Sequence, residues 1–280
     1  MTNSNLKHKK VLITGGAAGI GLATAEAFAR QGALIILVDL SEAALEKARE
    51  IIESRGGHCV TYPCDVSDWN SVQNLAGDIH RAQGPLDILI NNAGIAYLAG
   101  VVEHPLDQWE KIHRVNVMGV VHFVQAFLPA MKQAGGPRHI VNIASVAALA
   151  PAPNMSAYAA SKAAVRNFTE VLAMEQHGSD MVVQCVYPGI INTAIVSGIH
   201  SVGENISSRQ LDKLQHYYRE TGADPEVVAR DIVRGVTSGR AHIPTGPMAS
   251  LAGWLGRVSP RILRTLLIRS SKKSGYLAES

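Results

Sequence analysis

The chain has 280 residues, 47% hydrophobic and 18% charged, with a mean hydropathy of +0.09, a composition that belongs to a packed globular protein and excludes a disordered one. With 25 glycines, 12 prolines and 3 cysteines, collagen-like and disulfide-scaffold classes are excluded too, and the odd cysteine count fits a reducing compartment. The net charge of +3 is uneven: residues 250–280 carry six bases and one acid, while the rest of the chain holds 20 bases and 22 acids, so the body has no general attraction for nucleic acid.

In chain order, Lys7–Lys10 precede a three-residue apolar run, Val11-Leu12-Ile13, too short for the apolar region of a signal peptide. Short β-rich runs are predicted at Val11–Thr14, Leu34–Asp39, His58–Pro63, Ile88–Asn91, His139–Ala144 and Met181–Tyr187. Helical spacing is predicted between them, over Ile20–Gln31, Ser41–Arg55, Asp68–Gln83, Pro105–Met131 and Tyr158–Gln176. Strand–helix alternation implies crossover connections, hence an α/β fold with a doubly wound parallel sheet and helices on both faces. Leu34–Val38 is uninterruptedly apolar, as a strand buried on both faces must be. Nothing resembles a linker or a repeat, so one catalytic-size domain is expected over residues 1–249, followed by an extension over 250–280. No run of about 18 uninterrupted apolar residues is present, which argues against a spanning helix. Cys59, Cys64 and Cys185 are placed in or beside strands, and no histidines pair at metal-ligand spacing, so no metal is expected.

Thr14-Gly15-Gly16-Ala17-Ala18-Gly19-Ile20-Gly21 follows a strand and opens a helix. Glycines there allow a tight turn, and the N–H groups of the helix start can receive a pyrophosphate. Asp39 ends the next strand, where a carboxylate can accept from both adenosine ribose hydroxyls and would repel a 2′-phosphate. No basic residue stands at Ala17, Ala18 or Leu40 to favour NADP, so NAD is the expected cofactor and NADP is disfavoured.

Tyr158 and Lys162, four apart, project from one helix face. An ammonium near a phenol lowers its pKa from about 10 and yields an acid/base able to move a hydroxyl proton. An ordinary helical pair would look the same. Ser145 follows the strand His139–Ala144 and so faces the ligand crevice, although a turn-starting serine is the plainer alternative. Asn116, between apolar residues of a predicted helix, is costly in propensity and points to a buried polar role or a satisfied core amide.

Together Thr14-Gly-x-x-x-Gly-x-Gly21, Asn91-Asn92-Ala93-Gly94, Asn116, Ser145, Tyr158-x-x-x-Lys162 and Pro188-Gly189 resemble the short-chain dehydrogenase/reductase family from about residue 8 to residue 245. The resemblance implies a Rossmann-type fold and hydride transfer between NAD and a secondary alcohol or ketone. It implies Tyr158 as general acid/base, Ser145 as the hydrogen-bond partner of the substrate oxygen, Lys162 on the nicotinamide ribose, and Asn116 as holder of a relay water. Cofactor contacts are implied for Gly15, Ala18, Gly19, Ile20, Gly21, Asp39 and Leu40. They are also implied for Asp65, Val66, Asn92, Ala93 and Gly94, for Tyr158 and Lys162, and for Pro188, Gly189, Ile191 and Thr193. A homodimer or homotetramer is expected, and a cytoplasmic location. A catalytically silent dinucleotide-binding sensor is the rival reading.

Residues 190–222 correspond to the family's variable substrate loop. Ile190, Ile191, Ile195, Val196, Ile199, Val202 and Ile206, with Gly198 and Gly203 as hinges, describe an apolar lid and an apolar small-molecule substrate. The tail departs from the family. Ala241–Pro244 reads as a last short strand. A helix is then expected from a Ser259 cap and Pro260, with Ile262, Leu263, Leu266 and Leu267 on one arc. Docking of this helix on the body or on a subunit is expected over the alternative, a membrane-surface anchor through residues 251–273.

Overall fold

The computed structural model describes residues 6–193, 195 and 202–277; Val196, Gly198 and Ile199 of the expected lid lie outside them. Seven strands, β1 (Lys10–Thr14), β2 (Leu34–Asp39), β3 (His58–Pro63), β4 (Ile88–Asn91), β5 (Arg138–Ile143), β6 (Met181–Pro188) and β7 (His242–Thr245), form one sheet. Its order is β3-β2-β1-β4-β5-β6-β7, and every pair is parallel. Ile35, Ile36, Leu37 and Val38 are wholly buried, the outcome that an uninterrupted apolar strand requires. The strand order reverses between β1 and β4, so a crevice opens there at the carboxyl ends of the strands.

Helices α1 (Gly19–Ala29), α2 (Glu42–Ser54), α3 (Trp69–Gln83), α4 (Leu106–His113), α5 (Gly119–Ala134) and α6 (Ser156–Glu175) cover the two faces. Ser41 caps α2 by accepting from the Ala44 N–H, and Asp68 caps α3 by accepting from Asn70 and Ser71. The sheet separates two cores, one around Phe28, Ile35 and Leu45, the other around Leu75, Phe123 and Phe127. The stretch expected as one helix over Pro105–Met131 is interrupted by a π-helical segment, Arg114–Met118, that joins α4 to α5. Although long and apolar, this composite helix buries Phe123, Phe127 and Met131 in the second core. It is a core helix of the fold.

Beyond β6 the structure departs from a simple loop. Residues 208–221, expected within a substrate loop, form helix α7 (Ser208–Thr221), started by a reciprocal capping box between Ser207 and Gln210. Helix α8 (Pro225–Ser238) packs Ala229 on Ala23 and Ala27 of α1. After β7 come α9 (Ala249–Val258) and α10 (Pro260–Ser274), with Ser259 accepting from the Ile262 N–H as its cap residue. The expected arc of α10 docks only in part. Leu263 is buried with Ala150 and Ala252, and Leu267 packs on that cluster, whereas Ile262 and Leu266 are 55% and 45% exposed.

Candidate active site

The crevice is one continuous cleft of about 1580 Å³, larger than the roughly 300–1,000 Å³ usual for one small molecule. Along one arm lie Gly15, Ala18, Gly19, Ile20, Asp39 and Leu40, then Asp65, Val66, Asn92, Ala93 and Gly94. Gly15 (φ +61°) and Gly19 (φ +53°) take left-handed conformations, which favour glycine. A Cβ on Gly21 would lie 2.1 Å from the Gly15 carbonyl oxygen, so the turn and the helix start can be this close only without a side chain. No side chain caps α1 at Ala18, which leaves its first N–H groups for an anion. Asp39 is held by the N–H groups of Ala17 (3.1 Å) and Leu40 (2.8 Å), so its carboxylate stands fixed beside the glycine turn.

Asn92 ties the turn to β4, donating from Nδ2 to the carbonyls of Thr14 and Gly15, both at 2.9 Å. Val66 is fixed by His122, whose Nδ1 lies 3.0 Å from its carbonyl oxygen. It is also fixed by the close pass of α5 at Gly119, where a Cβ would sit 2.9 Å from its methyl. On the far wall the Gly189 N–H donates to Thr245 of β7 at 2.9 Å, and Ile191 is buried. Thr193 reaches over the glycine turn, its methyl 3.5 Å from where a Gly19 Cβ would be. The cradle, the bare helix start and the oriented carboxylate fit a dinucleotide.

Ser145, Tyr158 and Lys162 meet where β5 ends. Lys162 is buried and donates from Nζ to the Ile143 carbonyl at 2.9 Å. Burial, unrelieved by a carboxylate, pulls its pKa down to about 8. Burial pushes the Tyr158 phenol up to about 12, and a hydrogen bond with Ser145 opposes that rise. The Lys162 ammonium lies 5.8 Å from the centre of the tyrosine ring. Ser145 is thus the neighbour that eases ionisation of Tyr158, while the Lys162 ammonium is held by the Ile143 carbonyl. Asn116 has a saturated amide. Nδ2 donates to the Ile95 carbonyl and to Ser161 Oγ, each at 3.0 Å, and Oδ1 accepts from the Ile95 N–H at 2.8 Å. Ser161 in turn donates to the Tyr158 carbonyl at 2.7 Å, so Asn116 braces the helix that carries Tyr158. Gly94 leaves the space between them open, since a Cβ there would lie 3.3 Å from both Asn116 Oδ1 and Lys162 Nζ.

The third wall is not legible in the sequence as part of a site. Tyr217 and Tyr218 of α7, Leu251 and Leu255 of α9, Leu263, Leu266 and Leu267 of α10, and Tyr276 all line the cleft. Apart from Tyr276, which follows the last helix, their only signal in the sequence is amphipathic spacing, which does not say what a face docks on. Of the expected lid, Ile195, Val202 and Ile206 pack in one cluster with Tyr158.

A family model described as short chain dehydrogenase matches residues 9–202. A probable oxidoreductase, EphD, of Mycobacterium tuberculosis is 36% identical over 262 residues, covering 91% of this chain and 44% of that protein; the chain thus spans under half the length of that relative. 2-(S)-hydroxypropyl-CoM dehydrogenase 3 of Xanthobacter autotrophicus is 32% identical over 255 residues, covering 90% of this chain and 98% of its own. Among solved structures, a short chain dehydrogenase/reductase from Burkholderia phymatum in complex with NAD superposes with a TM-score of 0.80 at 29% identity, covering 96% of this chain and 95% of that one. The chain belongs to the short-chain dehydrogenase/reductase family.

Proposed function

We propose that the protein is an oxidoreductase that transfers a hydride between NAD and an apolar secondary alcohol or its ketone. The observation that carries this is the meeting of Ser145, Tyr158 and Lys162 at the end of β5, in the same cleft as the glycine turn and Asp39. When bound, the dinucleotide supplies the hydride acceptor for oxidation or the donor for reduction. In the oxidation direction Tyr158 takes the hydroxyl proton as its phenolate, the form that a neighbouring ammonium favours, while Ser145 donates a hydrogen bond to the substrate oxygen as its charge develops. Lys162 holds a positive charge beneath the Tyr158 ring and offers its remaining hydrogens to a ribose. Asn116 acts as a positioning residue. Both its amide hydrogens are engaged, so a relay water would be held by a carbonyl oxygen, in the space that Gly94 leaves.

Asp39 supports NAD over NADP, since a 2′-phosphate would meet its carboxylate with no cation at Ala17, Ala18 or the 73%-exposed Leu40. The Burkholderia phymatum neighbour holds NAD, and the Xanthobacter relative is named as a 2-(S)-hydroxypropyl-CoM dehydrogenase, in keeping with NAD and with a secondary alcohol. The apolar third wall supports an apolar substrate. A screen of 2-alkanols and cyclic secondary alcohols, with NAD and NADP in parallel and read by absorbance of the reduced nicotinamide, tests it. Turnover with NAD is expected; binding of NAD without turnover of any alcohol or ketone would favour the silent-sensor reading.

A further inference from the structure

Helix α10 lines the cleft that holds the reacting centre and is tied down at both ends. Near its start Leu263 is buried in a cluster that includes Val146, the neighbour of Ser145. At its end Gly275 adopts φ +91°, and a Cβ there would sit 2.9 Å from the Gln210 carbonyl oxygen and 3.0 Å from the Leu214 N. Only glycine lets the chain turn this tightly against α7. The turn carries Tyr276 back into the fold, into the cluster that holds Tyr158, Tyr218 and Met155. The Tyr276 carbonyl is gripped by the Asn154 amide, itself held in a left-handed conformation (φ 62°). Asn205 spans from Asn154 to the Gly100 N–H and closes the clasp.

The Tyr276 hydroxyl lies 2.6 Å from that of Tyr218. Two phenols carry two hydrogens, and only one can lie between their oxygens. Neither hydroxyl has a further partner among the described residues, so one hydrogen is left to donate into the cleft that Ser145 and Tyr158 also line. Both phenols are partly exposed where they line the cleft, so a ligand oxygen there can accept this hydrogen. Burial raises the pKa of both phenols, which keeps them protonated donors throughout the neutral range.

We propose that the Tyr218–Tyr276 pair recognises a second oxygen of the substrate, carried on the shorter arm beside the reacting carbon, while the longer, apolar arm lies against Leu255, Leu263, Leu266 and Leu267. The substrate class is therefore an apolar secondary alcohol or ketone with a neighbouring hydroxyl or carbonyl. This deepens the oxidoreductase reading of the same cleft and rests on it. Asn154 clasps the tail at the Tyr276 backbone carbonyl, which leaves the side chain to pair with Tyr218 beside the cleft.

The test compares 2-octanol with 1,2-octanediol, which differ only by a hydroxyl on the short arm, using the full chain, its Tyr276→Phe and Tyr218→Phe variants, and the variant with both substitutions. The wild-type ratio of kcat/KM, diol to mono-alcohol, is expected above one, and it should fall about 5–10-fold when both phenols are replaced, the worth of one neutral hydrogen bond, since either phenol alone keeps a hydrogen to donate. Equilibrium binding of both probes to the NADH complex, read by nicotinamide fluorescence, should give the same ratio. That readout decides the proposal even if neither alcohol is turned over; the oxidoreductase reading itself stands or falls on the wider alcohol and ketone screen. A wild-type ratio of one, no binding of the diol, or a ratio unmoved by both substitutions overturns the proposal. Thermal melting of each variant separates a lost contact from a lost fold.

Discussion

Residues 9–94 and residues 208–277 reach the same cleft by different routes. In the first region Gly15, Asp39, Asp65 and Asn92 stand at, or at most two residues beyond, the ends of β1, β2, β3 and β4. The parallel register that pairs Thr14 with Val38 and Asp39 with Pro63 carries all of them to one edge of the sheet. In the second region the lining groups come from helix sides, Tyr218 on α7, Leu255 on α9 and Leu267 on α10, and from Tyr276 after a turn. Sheet register delivers a side chain to a known edge, so a local motif is enough to place it. A helix side is delivered by docking, and docking depends on partners far away in the chain.

The largest effect is expected where the two regions meet. Tyr158→Phe keeps the ring that packs with Ile195 and Tyr218 and removes the proton carrier. Turnover should fall about 10²–10⁴-fold or more, with NAD affinity, measured by titration calorimetry, within a few-fold of wild type. A variant that retains activity within a few-fold would remove Tyr158 from the chemistry and leave the cleft without an acid/base at the end of β5.

Two smaller substitutions separate the regions. Gly21→Ala drives a Cβ against the Gly15 carbonyl oxygen and 2.7 Å from Asn92 Nδ2, so it should cost about 1–3 kcal/mol of stability and weaken NAD binding at the same time. Leu263→Ala empties part of the cluster with Ala150 and Ala252. It should cost about 2 kcal/mol, lower kcat/KM for apolar alcohols and leave NAD affinity in place. Denaturant unfolding and NAD titration on both variants check the contrast. NAD binding weakened equally by the two would mean that the tail supports the nucleotide arm as well. The exposed Trp254, Val258, Ile262 and Ile268 beside Arg261, Arg264 and Arg269 bear on the anchor alternative. With Leu263 buried, vesicle co-sedimentation of the full chain should show no salt-sensitive binding to anionic lipid.

The same contrast governs how much of the molecule is legible in its sequence. All six strands expected through Tyr187 are present within one residue at each end, as is the short strand after Ala241, because uninterrupted apolar runs bounded by turns leave few alternatives. The glycine turn, Ser145 and the Tyr158–Lys162 pair are readable from local spacing. The π segment at Asn116 is not, since the extra residue in that turn is required by a distant partner, Ile95. Helix α7 falls in a stretch expected as loop, although Ser207 and Gln210 already spell its cap. Tyr276 carries no signal at all: its place depends on Gly275 passing close to Gln210, a contact between segments far apart in sequence.

Asp39 tests the strand-end route with a milder change. Asp39→Ala combined with Leu40→Arg removes the carboxylate and supplies a guanidinium for a 2′-phosphate. The NAD-to-NADP ratio of kcat/KM should shift toward NADP by about 10-fold or more, the worth of one charge-assisted hydrogen bond. A wild-type enzyme that uses both cofactors equally would show that the carboxylate, held by Ala17 and Leu40, serves the turn and not the ribose.

The smallest effect concerns pH and the buried Lys162 of the site. Burial pulls the pKa of Lys162 down from 10.5 to about 8. Between those values the unfolded chain binds more protons at this residue than the folded one, so its contribution to stability rises with pH, by at most about 1.4 kcal/mol per unit. Above pH 9 the buried thiols of Cys59, raised to about 12, and Cys64 and Cys185, each raised to about 11, act in the opposite sense. There the fold keeps protons that the unfolded chain loses, and stability declines. Lys162→Met isolates the lysine, because the thiols are common to both proteins. Urea unfolding at pH 7, 8, 9 and 10 should find the variant the more stable at pH 7 and its advantage shrinking steadily above pH 8. An advantage that stays constant from pH 7 to pH 10 would mean that Ile143 and the Tyr158 ring stabilise the ammonium enough to hold its proton. The charge beneath Tyr158 would then stand in place before any dinucleotide arrives.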